Sequence, residues 1–398
     1  MLKRGILLLA LLATAQPVGA QSLFGVRGLG VPVDPIDPRG RALGSSGLGL
    51  LGLNTSMVNP AELAGSRRRG VVAALQPFYG SEELAGRDDN VSGTRFPLIQ
   101  LLYPARQQLV IGLGFGGVLE QSWSSVTEIA EPVGNDTVDV REFLGATGAL
   151  TQVRLTIAHE LTPSVSLGIA GGVYAGGLER ELTRVFLDSA TSLLPFTRLT
   201  NWEYRGTFAT LGVSVDPFST TRLAASVMIS SNIKAVPRHE NGTRHSYDMP
   251  MRFSLGGSTL LSSRLLAAGS AQYTTWKEGA VYTPPGTSPT LAVTARPTWD
   301  VGAGLEWEQL RTARRVLPLR AGFRFSQLPF HQTDEEPAKE VSGSLGVGLR
   351  LVADEFGPLA MGDIGLERGR RTGWAGPIAG GLTENFWRFT ASITLFGR

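Results

Sequence analysis

The 398-residue sequence contains no cysteine. That absence removes disulfide staples and thiol chemistry together. Histidine is almost as scarce, at four residues: His159, His239, His245 and His331. No two have the i, i+4 spacing that sets a metal pair on one helix face. No metal site, cofactor or catalytic residue is therefore expected. A hydrolase would need a serine and a histidine side by side with an orienting group, and the serines are too many for any one to be selected. His159 falls on a strand and His239, His245 and His331 in loops, so the chain is not expected to be an enzyme.

Long apolar runs are also missing. Only Gly5–Thr14 comes close, and it is too short to span a bilayer as a helix. It follows Lys3 and Arg4 and precedes the small residues Val18-Gly19-Ala20, so residues 1–20 read as a secretory signal peptide and Gln21 as the mature start. A charge excess is missing too. Without Lys3 and Arg4 the chain has 35 basic against 34 acidic residues, a balance that argues against nucleic-acid binding.

What is present is glycine, 50 residues, well above the usual share of roughly 7%. With it comes alternation of period two. Leu317, Leu319, Ala321, Phe323 and Phe325 oppose Arg320, Gly322, Arg324 and Ser326. Val341, Leu345, Val347, Leu349 and Leu351 oppose Ser342, Ser344, Gly346, Gly348 and Arg350. Met251, Phe253, Leu255 and Leu261 oppose Arg252, Ser254, Gly256 and Ser258, and Trp387, Phe389, Ala391, Ile393 and Leu395 oppose Arg388, Thr390, Ser392 and Thr394. A strand with one apolar and one wet face has this period; a helix does not.

The pattern predicts fourteen strands, near 70–79, 96–103, 108–123, 147–162, 164–186, 201–216, 220–233, 249–262, 263–276, 298–310, 316–328, 340–352, 358–370 and 385–397. Connections after the even-numbered strands are tight, for example Thr162-Pro163 and Asp216-Pro217-Phe218-Ser219. Those after the odd-numbered strands are long and polar, for example Ser124–Ala146, Lys234–Asp248 and Lys277–Pro297. An even strand count with alternating short turns and long loops describes an all-β, 14-stranded antiparallel transmembrane β-barrel. Trp123, Trp202, Trp276, Trp299, Trp387 and Tyr79 fall where strands meet long loops, the place for an outer aromatic girdle. Trp307 and Tyr103 fall at turn ends and Trp374 in a loop. The division that follows is 1–20 signal peptide, 21–69 N-terminal plug segment and 70–398 barrel.

Within the plug segment, Gly47-x-Gly49-x-x-Gly52 repeats the spacing of a dinucleotide fingerprint. It lacks the strand, the helix and the acidic residue about twenty positions on that the fingerprint requires. Farther on, Asn59-Pro60-Ala61-Glu62-Leu63 offers a fixed non-regular turn, because Pro60 cannot donate to a ladder and holds Asn59 extended. Asn59, Pro60, Ala61 and Leu63 are the candidate gate. Arg252, Arg320, Arg324, Arg350 and Arg388 have lumen parity. Their forks suit a carboxylate or phosphate head group. Equally, Glu306 and Glu308 on the strand adjacent to Arg320 and Arg324 would form bracing cross-strand pairs.

Arg41, Ala42, Gly44 and Gly47, followed by Asn59, Pro60, Ala61, Leu63 and Ala64, match the R-A-x-G-x-x-G and N-P-A-x-L-A stretches of FadL-type proteins. With fourteen strands after them, the chain resembles the FadL family of outer-membrane transporters for long-chain fatty acids and other hydrophobic compounds. The resemblance implies capture of a hydrophobic small molecule among the long loops, a lumen controlled by the plug, and exit sideways through a break in the wall. It also implies the outer membrane of a Gram-negative-type bacterium, with outer-membrane lipid and the barrel-assembly machinery as partners. Two other readings stand beside it: a non-transporting scaffold or shuttle subunit of a secretion or surface-attachment system, and a general porin whose glycine-lined inner face leaves an open channel.

Overall fold

The computed structural model describes residues 22–44, 47–84, 86–133, 136–187, 194–239, 242–286, 293–312, 315–331, 337–355, 357–373 and 381–397. The signal-peptide expectation for residues 1–20 and the loop position of Trp374 lie outside them.

Fourteen strands among the described residues form the wall: β1 Gly70–Leu84, β2 Leu98–Arg106, β3 Leu109–Glu120, β4 Asp136–Thr162, β5 Val165–Phe186, β6 Phe196–Phe218 and β7 Thr221–Ser230. They continue as β8 Arg252–Ser262, β9 Leu265–Thr274, β10 Thr298–Thr312, β11 Arg315–Gln327, β12 Lys339–Asp354, β13 Gly357–Gly373 and β14 Leu382–Phe396. Each pairs antiparallel with the next, and β14 returns to β1 from Gly70↔Phe396 to Glu83↔Thr383, so the sheet closes. Closure leaves no wall edge along this seam.

The polarity of the wall is inverted relative to a soluble barrel. On β4, Gln152, Arg154 and Thr156 are buried while Val153, Leu155 and Ile157 are exposed. On β12, Ser342 and Ser344 are buried while Val341 and Leu345 face out. His159 follows the outward set, exposed near a turn, with its Nδ1 3.0 Å from the carbonyl of Gln108.

The expected long loops hold more order than their polarity suggested. Ser124–Ala146 is not a loop: Trp123–Val133 pairs with Asp136–Ala146, extending β3 and β4 outward as a two-stranded ribbon. Along Thr137–Val140 the ribbon keeps an alternation, with Val138 and Val140 buried and Thr137 and Asp139 exposed, and cross-strand pairs such as Glu128–Arg141 at 2.5 Å hold the register. Arg87–Arg95 likewise folds back on the outer half of β1, and Ile233–Pro237 pairs with His245–Tyr247. His331 is buried rather than solvated in a loop, on a two-residue strand paired with Thr294.

The tryptophans divide. Trp299 and Trp387 face outward, 49% and 46% exposed, with Tyr79 at 60%. Trp123, Trp202 and Trp276 do not join that girdle. They are buried at the loop end in one cluster with Tyr174, Tyr204, Phe208, Tyr247, Tyr282 and Phe330. The reason is parity: Trp202 alternates in step with buried Tyr204 and Phe208, whereas Trp299 is in step with exposed Val301 and Leu305.

Candidate functional site

Residues 22–66 run against the inner face of the wall and are buried along most of their length; Ile36, Leu43, Leu48, Leu50 and Ala61 are fully covered. Two short helical pieces shape the segment. In α1, Pro38–Ala42, Asp37 caps the first turn by accepting from Gly40 N at 2.8 Å, with Pro38 at the first helical position. A 3₁₀ turn, Pro60–Gly65, is capped by Asn59, whose Oδ1 accepts from Ala61 N at 3.0 Å.

The candidate gate residues lie at a wall contact. Asn59 Nδ2 donates to Val213 O on β6 at 3.0 Å. The turn can come this close because the facing wall positions have no side chain. A Cβ on Gly168 of β5 would stand 2.3 Å from Ala61 N, and one on Gly212 of β6 would overlap Asn59 Oδ1. Leu63 fills the corresponding space over Gly112 of β3. The same principle explains the dinucleotide-like glycines. Gly47, Gly49 and Gly52 all have positive φ, 69°, 71° and 87°, and Gly49 backs onto Gly256 of β8. Glycine is there for left-handed backbone in close contact, not for a phosphate.

Ion pairs fasten the segment to β10–β14. Arg39 binds Glu306 through two bonds of 2.8 and 2.9 Å, and Arg320 holds the same carboxylate at 2.7 Å while reaching Asp363 at 2.6 Å. Asp34 lies between Arg324 at 2.5 Å and Arg252 at 3.4 Å, and Arg324 also grips Asp300. Burial works to raise the Asp34 carboxyl, but Arg324, Arg252 and Arg41 overcome it and hold it below the usual carboxylate range. Arg388 bridges Glu340 at 2.7 Å and Glu367 at 3.1 Å, and Arg371 joins Glu340 at 2.6 Å to Glu384 at 3.1 Å. Of the five arginines with lumen parity, Arg252, Arg320, Arg324 and Arg388 are thus in ion pairs. Arg350 stands apart, exposed beside a cavity of about 400 Å³ at the turn end.

Glu62 has a different environment. Its carboxyl is fully covered and is held by Gly49 N and Asn54 Nδ2. No ion pair joins it to any described residue. Burial pushes it up to about 8, against the bond from Gly49 N and the field of Arg222.

Between the segment and the aromatic cluster lies a lumen cavity of about 70 Å³, lined by Asp34, Arg252, Arg324, Gln152, Tyr174 and Trp276 among others. At 10–15 Å³ per water centre that is room for about five waters. The wall beside it is interrupted. β2 pairs with β3 from Leu98↔Gly116 downward, but above Gly117 the chain has already turned away into the Arg87–Arg95 strand. The edge left on β3 is taken by the N-terminal segment instead: Val31 pairs with Glu120, Pro32 with Leu119, and Val33 N donates to Val118 O at 2.9 Å. Arg95 reaches across to Glu120 at 3.3 Å.

Sequence parity located the paired arginines and Glu306, and the backbone constraints of Pro60 located the Asn-Pro turn. Neither gave a sign of Asp34, Asp300, Asp363 or the substitution of segment for strand at β3, because each depends on which strands become neighbours.

No protein-family model and no curated protein matches the sequence. Solved structures do match in fold. A FadL homologue of Pseudomonas aeruginosa superposes with a TM-score of 0.62 at 14% identity, covering 92% of this chain and 99% of that one. The toluene transporter TbuX of Ralstonia pickettii gives 0.60 at 16% identity over 92% of this chain and 99% of that one. The toluene transporter TodX of Pseudomonas putida gives 0.54 at 13% over 92% and 98%. These structures are described as transporters or a transporter homologue, not as enzymes. The fold of this chain is that of the FadL-like outer-membrane transporters.

Proposed function

We propose that the protein passes hydrophobic small molecules across an outer membrane, with residues 21–69 as a plug and the interruption above Gly117 as the side exit. The apolar outer face of the wall fits a lipid surround, and the TbuX and TodX neighbours supply the substrate character. The observation that carries the reading is the edge of β3. Residues 31–33 occupy the place of a wall strand there, so movement of the segment would uncover lumen and wall together. With residues 22–66 seated in the lumen between cavities of about 70 and 400 Å³, an open porin is the less supported reading. Asn59, Pro60, Ala61 and Leu63 then anchor the plug at β3, β5 and β6 while residues 31–33 move.

The lack of native cysteine makes a clean test possible. A Val33→Cys/Val118→Cys pair, oxidised in vesicles, should stop uptake of toluene or a hydrophobic dye, and reductant should restore it. Uptake by the oxidised protein at the reduced rate would overturn the side-exit reading.

A further inference from the structure

The ion-pair lattice of β10–β14 leaves out two deeply buried cations on the opposite wall, Arg154 and Arg180; Arg154 donates to the carbonyl of Met57, whereas Arg180 has no such bond to any described residue. Arg320, Arg324, Arg371 and Arg388 each hold a carboxylate at 2.5 to 2.7 Å. Arg180, on the inward face of β5, is only 7% exposed, yet it has no ion pair with any described residue and its Nε has no hydrogen-bond partner. Its guanidinium carbon lies 5.8 Å from the ring centroid of Trp123, and the buried Trp123 Nε1 also lacks a partner.

Around this pair the other polar handles are occupied. Tyr204 Oη donates to Gln121 Oε1 at 2.6 Å, Trp202 Nε1 to Thr243 O at 3.3 Å, Tyr247 Oη to Thr283 O at 2.8 Å and Tyr282 Oη to Asp248 O at 2.7 Å. Buried donors are almost always satisfied, so two adjacent exceptions call for an acceptor that the described residues do not supply. The stacking of Arg180 on Trp123 offsets part of the burial of charge but satisfies no N–H.

The missing group has three properties. It is negative, to balance Arg180. It offers two coplanar oxygens, to match a guanidinium fork and reach the indole N–H. Its body is flat and apolar, because the cluster around Trp123 is built of aromatic rings that pair edge to face and tilted, the contacts a further ring would make. We propose that Arg180 and Trp123 form the head-group site for an aromatic monocarboxylate, held by the loop-end aromatic cluster on its way to the lumen. Tyr174 and Trp276 belong both to that cluster and to the cavity lining, so the cluster that holds Trp123 borders the route. The inference rests on the passage reading and narrows its substrate to an aromatic acid.

The test uses the full-length barrel in a neutral detergent at neutral pH. Equilibrium binding is measured for phenylacetate, for ethylbenzene with the same ring and no charge, and for octanoate with the charge and no ring. Phenylacetate should bind tightest, and Arg180→Gln should weaken it by about ten-fold or more, the loss of a charged hydrogen bond, while ethylbenzene changes little. Arg180→Lys should recover part of the loss, and Trp123→Phe should give a smaller one. Unchanged far-UV circular dichroism and heat-modifiable gel mobility show that each variant is folded. In wild type alone, equal affinity for phenylacetate and ethylbenzene overturns the head-group assignment, and equal affinity for octanoate overturns the aromatic body. In both cases uptake of ethylbenzene by vesicles leaves the passage reading standing; no uptake of any of the three overturns that reading itself.

Discussion

One methyl group at Gly168 should loosen the N-terminal segment while leaving the barrel wall intact. The alanine Cβ would stand 2.3 Å from Ala61 N and 2.4 Å from the carbonyl carbon of Pro60. Ordinary carbon contacts are about 3.5 Å or more, so the 3₁₀ turn must retreat by about 1 Å. Overpacking of this kind costs about 1–3 kcal/mol. Against it stand the Asn59–Val213 hydrogen bond, about 1 kcal/mol, and the burial of Leu63, about 2 kcal/mol. Gly168→Ala should therefore favour the unseated segment by about ten-fold to a hundred-fold. Adding Gly212→Ala, its cross-strand partner, should loosen the turn further, while the ion pairs of Asp34 and Arg39 still hold the earlier part of the segment. The readouts are conductance in planar bilayers and protease cleavage at Arg67–Arg69. Gly343→Ala is the control, since a Cβ there meets nothing within 4 Å. If Gly168→Ala is as silent and as protease-resistant as the Gly343→Ala control, the glycine seat does not hold the segment.

Arg324→Met should leave Asp34 and Asp300 buried without their shared counter-ion and cost about 3–5 kcal/mol, read as a lower heat-modification midpoint. Arg350→Met, at an exposed position, should leave that midpoint unchanged, and an equal loss in both would sink the bracing assignment. Glu62 binds a proton in the folded protein up to about pH 8, against 4.5 in the unfolded chain, so its contribution is full below 4.5 and falls as pH rises toward 8. Conductance should rise over that window, and Glu62→Gln should flatten the response; a wild-type curve that is level from 4.5 to 8 refutes it. In single-tryptophan variants, brominated lipid should quench Trp299 and Trp387 but spare Trp123, Trp202 and Trp276. Uniform quenching would restore a complete girdle.

Much of this architecture was legible in the sequence because a closed wall with one apolar and one polar face imposes a strict period of two. All fourteen strands fall at the expected places, with ends displaced by a few residues apart from the outward extensions of β1, β4 and β6. The outer end of β6 loses the period, being exposed from Phe196 to Leu199, whereas Val138 and Val140 of β4 keep it. The tryptophans were misassigned because position along a strand was weighed and parity was not: Trp276 continues the buried series Leu266, Ala268, Gln272, Thr274. Arg320 pairs with Glu306 as the alternation suggested, since the two are cross-strand neighbours. Asp34 could not be assigned to Arg324 in the same way, because it comes from a segment with no period of its own. Arg180 was equally hidden. Its parity is ordinary, and only the absence of a partner sets it apart.

The glycine seats also fix an order of events during biogenesis. The segment lies against β3, β5, β6, β8, β10 and β11 from within, with backbone meeting backbone at Gly168, Gly256, Gly302 and Gly322. Its last residues lead directly into Gly70, the first residue of the β1–β14 seam. Entry after closure would have to be through an end of the barrel or the break above Gly117, past contacts this close. The N-terminal segment is therefore expected to be lying in place when β14 zips onto β1, acting as the mandrel on which the wall is wound.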